Sequence, residues 1–271
     1  MRSLLFVPGH VERFIVKALE TETHAIIFDL EDAVPSAQRV DARKILTQAS
    51  SQARTKAVKF IVRINPFQTN DYDLDLQIIK GHNIDYLMPT KANSGAELKR
   101  IFESTGLPQI PLIETAKGLV EVNRIAELPF VEGLALGAED LMDDLGVKAP
   151  GYSQMLMHSQ INVSVACKAA KKSCFDTPFL SLDDLEGYSS RCRESYGIGF
   201  TGRLCIHPSQ ISPTNRYYYP SPEEQQFAKE IQEKIDEAGS SGYSVIRWKG
   251  ELVGPPMVKR AMSILKAMND D

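Results

Sequence analysis

The chain has 271 residues, of which 43% are hydrophobic and 24% are charged, and its formal net charge is −4 at pH 7. This size fits one large core, and the scattered Lys and Arg residues form no basic patch for a nucleic acid or an anionic membrane. Because the sequence has no run of 18 apolar residues and no signal-peptide pattern at its start, we predict a cytoplasmic protein without nucleic-acid or membrane partners.

Eight short apolar segments, rich in β-branched residues, alternate along the chain with segments of helical character. This order predicts βα units with parallel strands, and eight such units predict closure into a (β/α)8 TIM barrel of the α/β class. The predicted strands are residues 4–7, 25–28, 59–62, 85–88, 110–113, 133–137, 174–175 and 204–206. The predicted helices, which would cover the outside, are residues 11–19, 38–49, 71–80, 96–102, 119–126, 154–171 and 183–193.

A proline-rich break at residues 208–222 follows the last strand, so we place the barrel at residues 1–219. Residues 220–271 are predicted to form a C-terminal helix–hairpin–helix extension, which we expect to act as a lid or an oligomer contact. Its predicted parts are a helix at 223–238, a turn at 239–242, a hairpin within 243–253 and a helix at 256–267.

Two other patterns have structural interpretations. The four cysteines show neither C-x-x-C spacing nor a neighbouring histidine pair, so we expect free, buried thiols rather than disulfides or a zinc site. Residues 197–202 fit G-x-G-x-x-G, but they follow a predicted helix and lead into a strand, which is the reverse of the dinucleotide-binding order. We therefore interpret them as an αβ turn.

Charged residues follow seven of the predicted strands, and in a parallel barrel such positions meet at one mouth. Glu114 and Asp140 are the preferred functional pair, since each follows an apolar strand within a glycine-containing turn. Two carboxylates without a histidine cluster favour Mg²⁺, whereas loop salt bridges are the alternative. The seven residues are Asp29, Arg63, Lys91, Glu114, Asp140, Asp176 and His207.

Arg63 lies in an apolar run, where an unpaired guanidinium would be costly to bury. Its partner is either an anionic substrate group, such as a carboxylate or a developing enolate, or a structural carboxylate from Asp29, Glu31 or Asp32. We assign Asp29 and Glu31 a supporting role, in which they orient Arg63 or contact the ion through water.

Lys91 and His207 leave mechanistic alternatives open. A barrel lysine at this position can form a Schiff base with a ketone substrate, although solvated or paired lysines are more common. His207 is a candidate acid–base group, but a histidine before a proline at a strand end is as often a structural hydrogen-bonding residue.

Five ordered segments, residues 2–9, 27–34, 62–66, 112–118 and 206–210, carry a resemblance to a known family. Over almost its whole length, the chain resembles the citrate lyase beta-subunit-like branch of the HpcH/HpaI aldolase family. The resemblance implies a Mg²⁺-dependent barrel that makes or breaks a carbon–carbon bond in a 3-hydroxyacyl thioester, usually of coenzyme A, and works as a homotrimer or hexamer. It also matches Glu114 and Asp140 to the metal ligands and Arg63 to the substrate-binding arginine.

From this resemblance we expect a lyase that cleaves citramalyl-CoA to acetyl-CoA and pyruvate, with citryl and malyl thioesters as alternative substrates. Besides Arg63, we expect the substrate to meet Asp29, the Pro8-Gly9 turn and the region of Lys91. Arg13 is a further expected neighbour of the coenzyme A portion.

The sequence also departs from the family pattern. Related malyl-thioester enzymes carry a tail aspartate that serves a neighbouring subunit as an acid–base group, and Gly254 occupies the aligned position here. We therefore expect weak condensation and weak thioester hydrolysis, with water or Glu251 protonating the enolate during cleavage. Thr90 stands where related proteins usually have a proline, and His158 where they often have an arginine. Both differences affect which acyl group we expect the protein to accept. The missing group also keeps a non-catalytic, acyl-CoA-binding regulatory protein as an alternative.

Overall fold

A computed structural model describes residues 1–238 and 246–269 of the chain. The chain divides into two compact units, residues 1–218 and residues 219–271. Among the described residues, no helix combines the length and the apolar character needed to cross a membrane.

The first unit contains eight parallel strands in the order β4-β3-β2-β1-β8-β7-β6-β5. Bridges from Leu87 to Gln109 and from Gln109 to Val131 join β4 to the chain leading into β5 and β6, which closes the sheet. The predicted (β/α)8 barrel is confirmed. Its strands are β1 Ser3–Pro8, β2 Ala25–Asp29, β3 Lys59–Ile64, β4 Tyr86–Pro89, β5 Leu112–Ile113, β6 Gly133–Leu136, β7 Ser173–Asp176 and β8 Gly202–Cys205.

Side chains on the two faces of the strands form two separate cores, since successive residues of a strand point to opposite sides. The outward-facing set packs beneath the helices in a large apolar cluster. Burial on both faces explains why the strands appear in the sequence as continuous apolar runs. The inward-facing set fills the barrel and consists of Leu4, Ala25, Ile27, Ile61, Met88, Ile110, Leu112, Ala135, Phe175 and Leu204.

Ten helices follow or connect the strands of the first unit. Four of them begin at residues whose side chains accept a backbone amide three positions on, namely Thr69, Ser94, Thr115 and Asp184, which is the usual N-cap arrangement. The helices are α1 Glu12–Ala18, α2 Arg39–Thr55, α3 Asn70–Ile79, α4 Gly95–Thr105, α5 Ala116–Val120, α6 Val122–Ala126, α7 Ala138–Asp144, α8 Tyr152–Ala170, α9 Leu185–Gly197 and α10 Ile211–Tyr217.

Three sequence predictions were wrong in this unit. Asp140 lies in helix α7 rather than in a turn, because a helix of seven residues is too short to show a clear period. The helix predicted at 119–126 is divided into α5 and α6 at Glu121, whose ψ of 1° departs from α-helical geometry. The proline-rich break contains α10, since Pro213 lies in its first turn, where no amide donor is needed.

Other predictions for the first unit are confirmed. All four cysteines are free and buried. The G-x-G-x-x-G segment is an αβ turn, because Gly197 ends α9 and Gly202 begins β8.

The second unit contains helix α11 Pro222–Ala238, strands β9 Ile246–Trp248 and β10 Glu251–Val253, and helix α12 Pro255–Asn269. The two strands pair antiparallel, as the predicted hairpin requires. Its small core is formed by Ala228, Ile231, Val253, Ala261 and Ile264. The predicted turn at 239–242 and the first predicted hairpin residues, 243–245, lie outside the described residues.

Gly9 is required by the close approach of β1 to β2. Its amide donates to the Asp29 carbonyl at 2.9 Å, and an added Cβ would lie 2.6 Å from both that oxygen and the Phe28 ring. We therefore expect Gly9→Ala to lower the free energy of unfolding by roughly 1–3 kcal/mol, as overpacked cores do. Urea denaturation measures this loss. Gly197→Ala is the control, because nothing lies within 4 Å of its added Cβ, and equal losses in both variants would contradict the packing argument.

Candidate active site

The alternation of side chains along the strands decides which charged strand-end residues reach the barrel mouth. Asp29, Arg63 and Glu114 lie two positions beyond inward-facing residues of β2, β3 and β5, so their side chains continue the interior set. All three line a cavity of about 370 Å³ at the C-terminal ends of the strands. Its apolar wall includes Phe6, Leu112, Leu204 and Ile206, and its other carboxylates come from Asp32, Glu139 and Asp140.

The same alternation directs Lys91, Asp176 and His207 away from the interior. The side chain of Lys91 is exposed. Asp176 is buried on the outer face, 3.1 Å from Nη2 of Arg203. His207 is exposed, and its ring accepts the Ser209 amide, which caps a short 3₁₀ turn. Of the seven predicted strand-end residues, the cavity thus brings together Asp29, Arg63, Glu114 and Asp140.

Arg63 and Asp29 form a buried, two-point ion pair. Nε and Nη2 of Arg63 donate to Oδ1 and Oδ2 of Asp29 at 2.7 and 2.6 Å, and the guanidinium carbon lies 4.8 Å from the centre of the Phe6 ring. Asp29 is fully buried and Arg63 is 8% exposed. The structural pairing considered from the sequence is therefore present, and Asp29 fixes the orientation of Arg63.

The remaining guanidinium nitrogen, Nη1, faces two further carboxylates. It lies 3.2 Å from Glu31 Oε2 and 3.5 Å from Asp32 Oδ2. Burial of Glu31 raises the pKa of its carboxyl from 4.5 to about 7, because desolvation outweighs the attraction of Arg63 and the negative charge of Asp32 adds to the effect. The loop after β2 therefore holds one buried carboxyl that is readily protonated beside one exposed carboxylate.

Glu114 is a buried carboxyl held by the main chain. It is 3% exposed, and its Oε1 accepts the amide of Lys91 at 2.7 Å. Lys91 adopts a positive φ of 48°, which few non-glycine residues do. The main chain of Lys91, rather than its exposed side chain, thus serves the site.

Gly137 makes room for the carboxyl of Glu114. A Cβ at Gly137 would lie 2.8 Å from both Cβ and Oε2 of Glu114, so only glycine fits there without a shift. Burial, together with the charges of Glu31 and Asp140, raises the pKa of Glu114 to about 8. A cation placed beside Glu114 would stabilise its ionised form, because it offsets both the burial and the neighbouring negative charges.

Asp140 adds a second carboxylate on α7, and this donor set fits a hard divalent cation. Within residues 1–238 and 246–269, no group of three or more His, Cys, Asp and Glu residues is placed to hold a metal. Mg²⁺ commonly takes only one or two protein carboxylates and fills its other positions with substrate and water. Arg63 is the single cation among the described residues that line the cavity, so a bound divalent cation would offset the excess negative charge.

The other residues predicted to meet the substrate or to affect its specificity have different surroundings. Gly9 is buried against Asp29, Pro8 is partly exposed at the end of β1, and Arg13 is exposed on α1. Thr90 is buried, and its hydroxyl donates to the Ile64 carbonyl at 3.1 Å. His158 is exposed on α8 beside Asn162.

Thr177, which was not predicted from the sequence, lines the same cavity. Its Oγ1 accepts the amide of Ala138, the first residue of α7, at 3.1 Å. Thr177 lies two positions after the inward-facing Phe175, so the alternation that selects Glu114 also selects Thr177. The strand-end residues predicted from the sequence were selected by their charge, and Thr177 carries an uncharged hydroxyl.

A second cavity, of about 410 Å³, lies at the N-terminal ends of β3 and β4. Its polar side chains are already paired, since Lys59 binds Asp85 at 2.7 Å and Arg54 binds Asn83 at 3.0 Å. TIM barrels carry their chemistry at the C-terminal ends of the strands. We therefore assign a structural role to this opposite end.

Comparisons with known proteins show which family the chain resembles. A sequence profile of the HpcH/HpaI aldolase/citrate lyase family matches residues 2–208. The citrate lyase subunit beta of Leuconostoc mesenteroides subsp. cremoris is 31% identical, over 99% of this chain and 93% of that protein. A (3S)-malyl-CoA thioesterase of Cereibacter sphaeroides is 30% identical, over 93% of this chain and 89% of that protein.

A solved structure covers both units. Protein CitE from Mycobacterium tuberculosis, in complex with magnesium, acetoacetate and coenzyme A, matches this chain with a TM-score of 0.83 and 29% sequence identity. The match covers 99% of this chain and 98% of that one.

The pKa of Glu31 makes the stability of the metal-free protein depend on pH. The folded-state pKa of Glu31, about 7, lies above the usual 4.5, so protonation of this carboxyl favours the folded state. The resulting contribution to the free energy of unfolding is fully present below pH 4.5 and is lost as the pH rises through 7. We expect the free energy of unfolding of the wild type to fall by roughly 1–3 kcal/mol relative to Glu31→Gln over this window. Urea denaturation in EDTA between pH 4.5 and 8 measures it, and a constant difference would contradict the burial argument.

Proposed function

The chain belongs to the citrate lyase beta-like branch of the HpcH/HpaI aldolase/citrate lyase family, and from that membership we propose that it is a Mg²⁺-dependent carbon–carbon lyase acting on a 3-hydroxyacyl thioester of coenzyme A. The observation that carries the proposal is the convergence of Glu114, Asp140 and Arg63 on one cavity. The magnesium, acetoacetate and coenzyme A in the solved relative support the choice of ion and thioester.

We propose citramalyl-CoA as the substrate, cleaved to acetyl-CoA and pyruvate. The apolar wall formed by Phe6, Leu112 and Leu204 suits the methyl group of citramalate. Citryl-CoA would bring an additional carboxylate into a cavity whose one cation, among the described lining residues, is already paired with Asp29. Malyl-CoA has hydrogen in place of the methyl group, so it would make no methyl contact with this wall. Because it adds no carboxylate, it is a better alternative than citryl-CoA.

The residues of the mouth have distinct roles in this proposal. Glu114 and Asp140 would hold Mg²⁺, which when bound supplies a Lewis acid for the hydroxy acid that becomes the keto acid. Arg63, oriented by Asp29, would stabilise the negative charge that develops on the enolate oxygen of the departing thioester. The apolar wall would limit contact with water and so strengthen both interactions.

Gly254 sets the expected direction of the reaction. It lies between β10 and α12 and is half-buried, and it offers no acid–base side chain. Condensation requires a base to deprotonate acetyl-CoA, whereas the enolate formed by cleavage can take its proton from water. We therefore propose that cleavage exceeds condensation and thioester hydrolysis.

A homotrimer or hexamer stays a prediction, as does the role of the second unit as a lid or an oligomer contact.

The carboxylate variants Glu114→Gln and Asp140→Asn test the proposal directly. Each keeps the shape of the side chain but removes a charge from the ion site, so we expect cleavage in Mg²⁺ to fall at least about 100-fold. Coupled assays for pyruvate, glyoxylate and oxaloacetate, with citramalyl-, malyl- and citryl-CoA, measure the rate and identify the substrate. Asp143→Asn, an exposed change on the same helix, is the control. Normal rates in both site variants would contradict the assignment.

Lys91→Ala separates the proposal from the Schiff-base alternative. Because the site uses the Lys91 amide while its side chain is exposed, we expect the rate in Mg²⁺ to change by less than about fivefold, far less than the loss of a covalent nucleophile. Initial rates with and without EDTA measure this. Two results together would instead establish the Schiff base. Lys91→Ala would be inactive, and borohydride would trap the substrate on the wild type equally well with and without EDTA.

A further inference from the structure

The helix that carries Asp140 depends on its neighbours for its position. Helix α7 has seven residues, and its N-cap, Gly137, provides no side-chain cap. A helix this short is not stable alone in water, so tertiary contacts must order it. Three side-chain hydrogen bonds attach α7 to the surrounding barrel.

The first attachment holds the start of α7 to the end of β7. The amide of Ala138 donates to Oγ1 of Thr177 at 3.1 Å, and both residues are buried. Thr177 is itself fixed, because Nε of Arg203 donates to its carbonyl at 2.9 Å. Arg203 is 2% exposed and is paired with Asp176 at 3.1 Å. The buried Arg203–Asp176 pair, which lies outside the mouth, thus anchors the hydroxyl that caps α7.

The second attachment holds the end of α7 to the chain just after Glu114. Oδ2 of Asp144, the last residue of α7, accepts the amide of Ala116 at 2.7 Å. Ala116 begins α5 and lies two residues beyond Glu114. A third bond, from the hydroxyl of Tyr152 to Glu139 at 2.5 Å, joins α7 to α8.

We propose that Thr177 and Asp144 are positioning residues for divalent-cation binding, which hold α7 so that Asp140 is presented opposite Glu114. The proposal rests on the function proposed above. Neither residue is assigned a contact with the reacting atoms; each acts through the helix that carries a ligand. Without these bonds, the cation would have to order α7 as it binds, and the entropy lost in that ordering would weaken its affinity.

Binding of Mn²⁺, followed by the loss of the free-ion EPR signal, measures this affinity without a catalytic assay. Mn²⁺ shares the preference of Mg²⁺ for oxygen ligands in octahedral geometry. We expect Thr177→Val, which removes the acceptor at nearly constant volume, to weaken binding about tenfold, the lower end of the effect of supporting residues at metal sites. Thr177→Ser keeps the hydroxyl and should bind like the wild type.

Thr201→Val is the matched control for general loss of stability. The amide of Cys174 donates to Thr201 Oγ1 at 3.0 Å, so this change also removes an acceptor from a buried amide, but at the start of β7, away from α7. We expect its affinity for Mn²⁺ to equal that of the wild type. Equal weakening in Thr177→Val and Thr201→Val would overturn the proposal.

Asp144 provides a second, independent arm, since it is exposed and its replacement leaves the core intact. We expect Asp144→Ala to weaken Mn²⁺ binding severalfold and Asp144→Asn, which keeps an acceptor oxygen, to restore most of it. The positioning role would be overturned if Thr177→Val and Asp144→Ala both bound Mn²⁺ with wild-type affinity while Glu114→Gln did not bind it. That result would leave the proposed function intact. Binding of Mn²⁺ by Glu114→Gln as tightly as by the wild type would overturn both.

Discussion

The two-residue alternation of side chains along eight parallel strands determines both the core of this barrel and the composition of its mouth. One set of positions fills the interior with apolar groups such as Ile27 and Ile61. The next members of that set, beyond the last apolar layer, are Asp29, Arg63 and Glu114. Because the interior register is fixed by burial, a shift of one residue would move these groups out of the mouth. The site and the fold therefore depend on the same constraint.

The charges at the mouth do not balance without a cation. Asp29 takes two of the three nitrogens of Arg63, and the carboxyl groups of Asp32, Glu114, Glu139 and Asp140 also line the cavity. Burial raises the pKa of Glu114 to about 8 and that of Glu31 to about 7. These shifts and the apolar wall describe a pocket that is suited to a divalent cation and an organic anion bound together.

The sequence allowed the barrel to be predicted because each strand is a short run of buried residues and each helix has polar outer positions. It also identified Glu114, Arg63 and Asp29, whose places follow from strand alternation. Lys91, Asp176 and His207 were grouped with them only because they are charged and end a strand, although their positions in the alternation place them on the outer face. The bond from Ala138 to Thr177 was not predictable, because it joins residues 39 apart in the chain. Helix α7 was not predictable either, because it depends on such tertiary contacts.

We propose that one divalent cation binds between Glu114 and Asp140, and anomalous diffraction from crystals soaked in Mn²⁺ would locate that ion. Binding between the two carboxylates predicts a single strong anomalous peak in the mouth cavity, with oxygen atoms of both carboxylates about 2.0–2.3 Å away, the range for small hard cations. A peak that contacts only one of these carboxylates, or that lies only at the opposite end of the barrel beside Asp85, would contradict it.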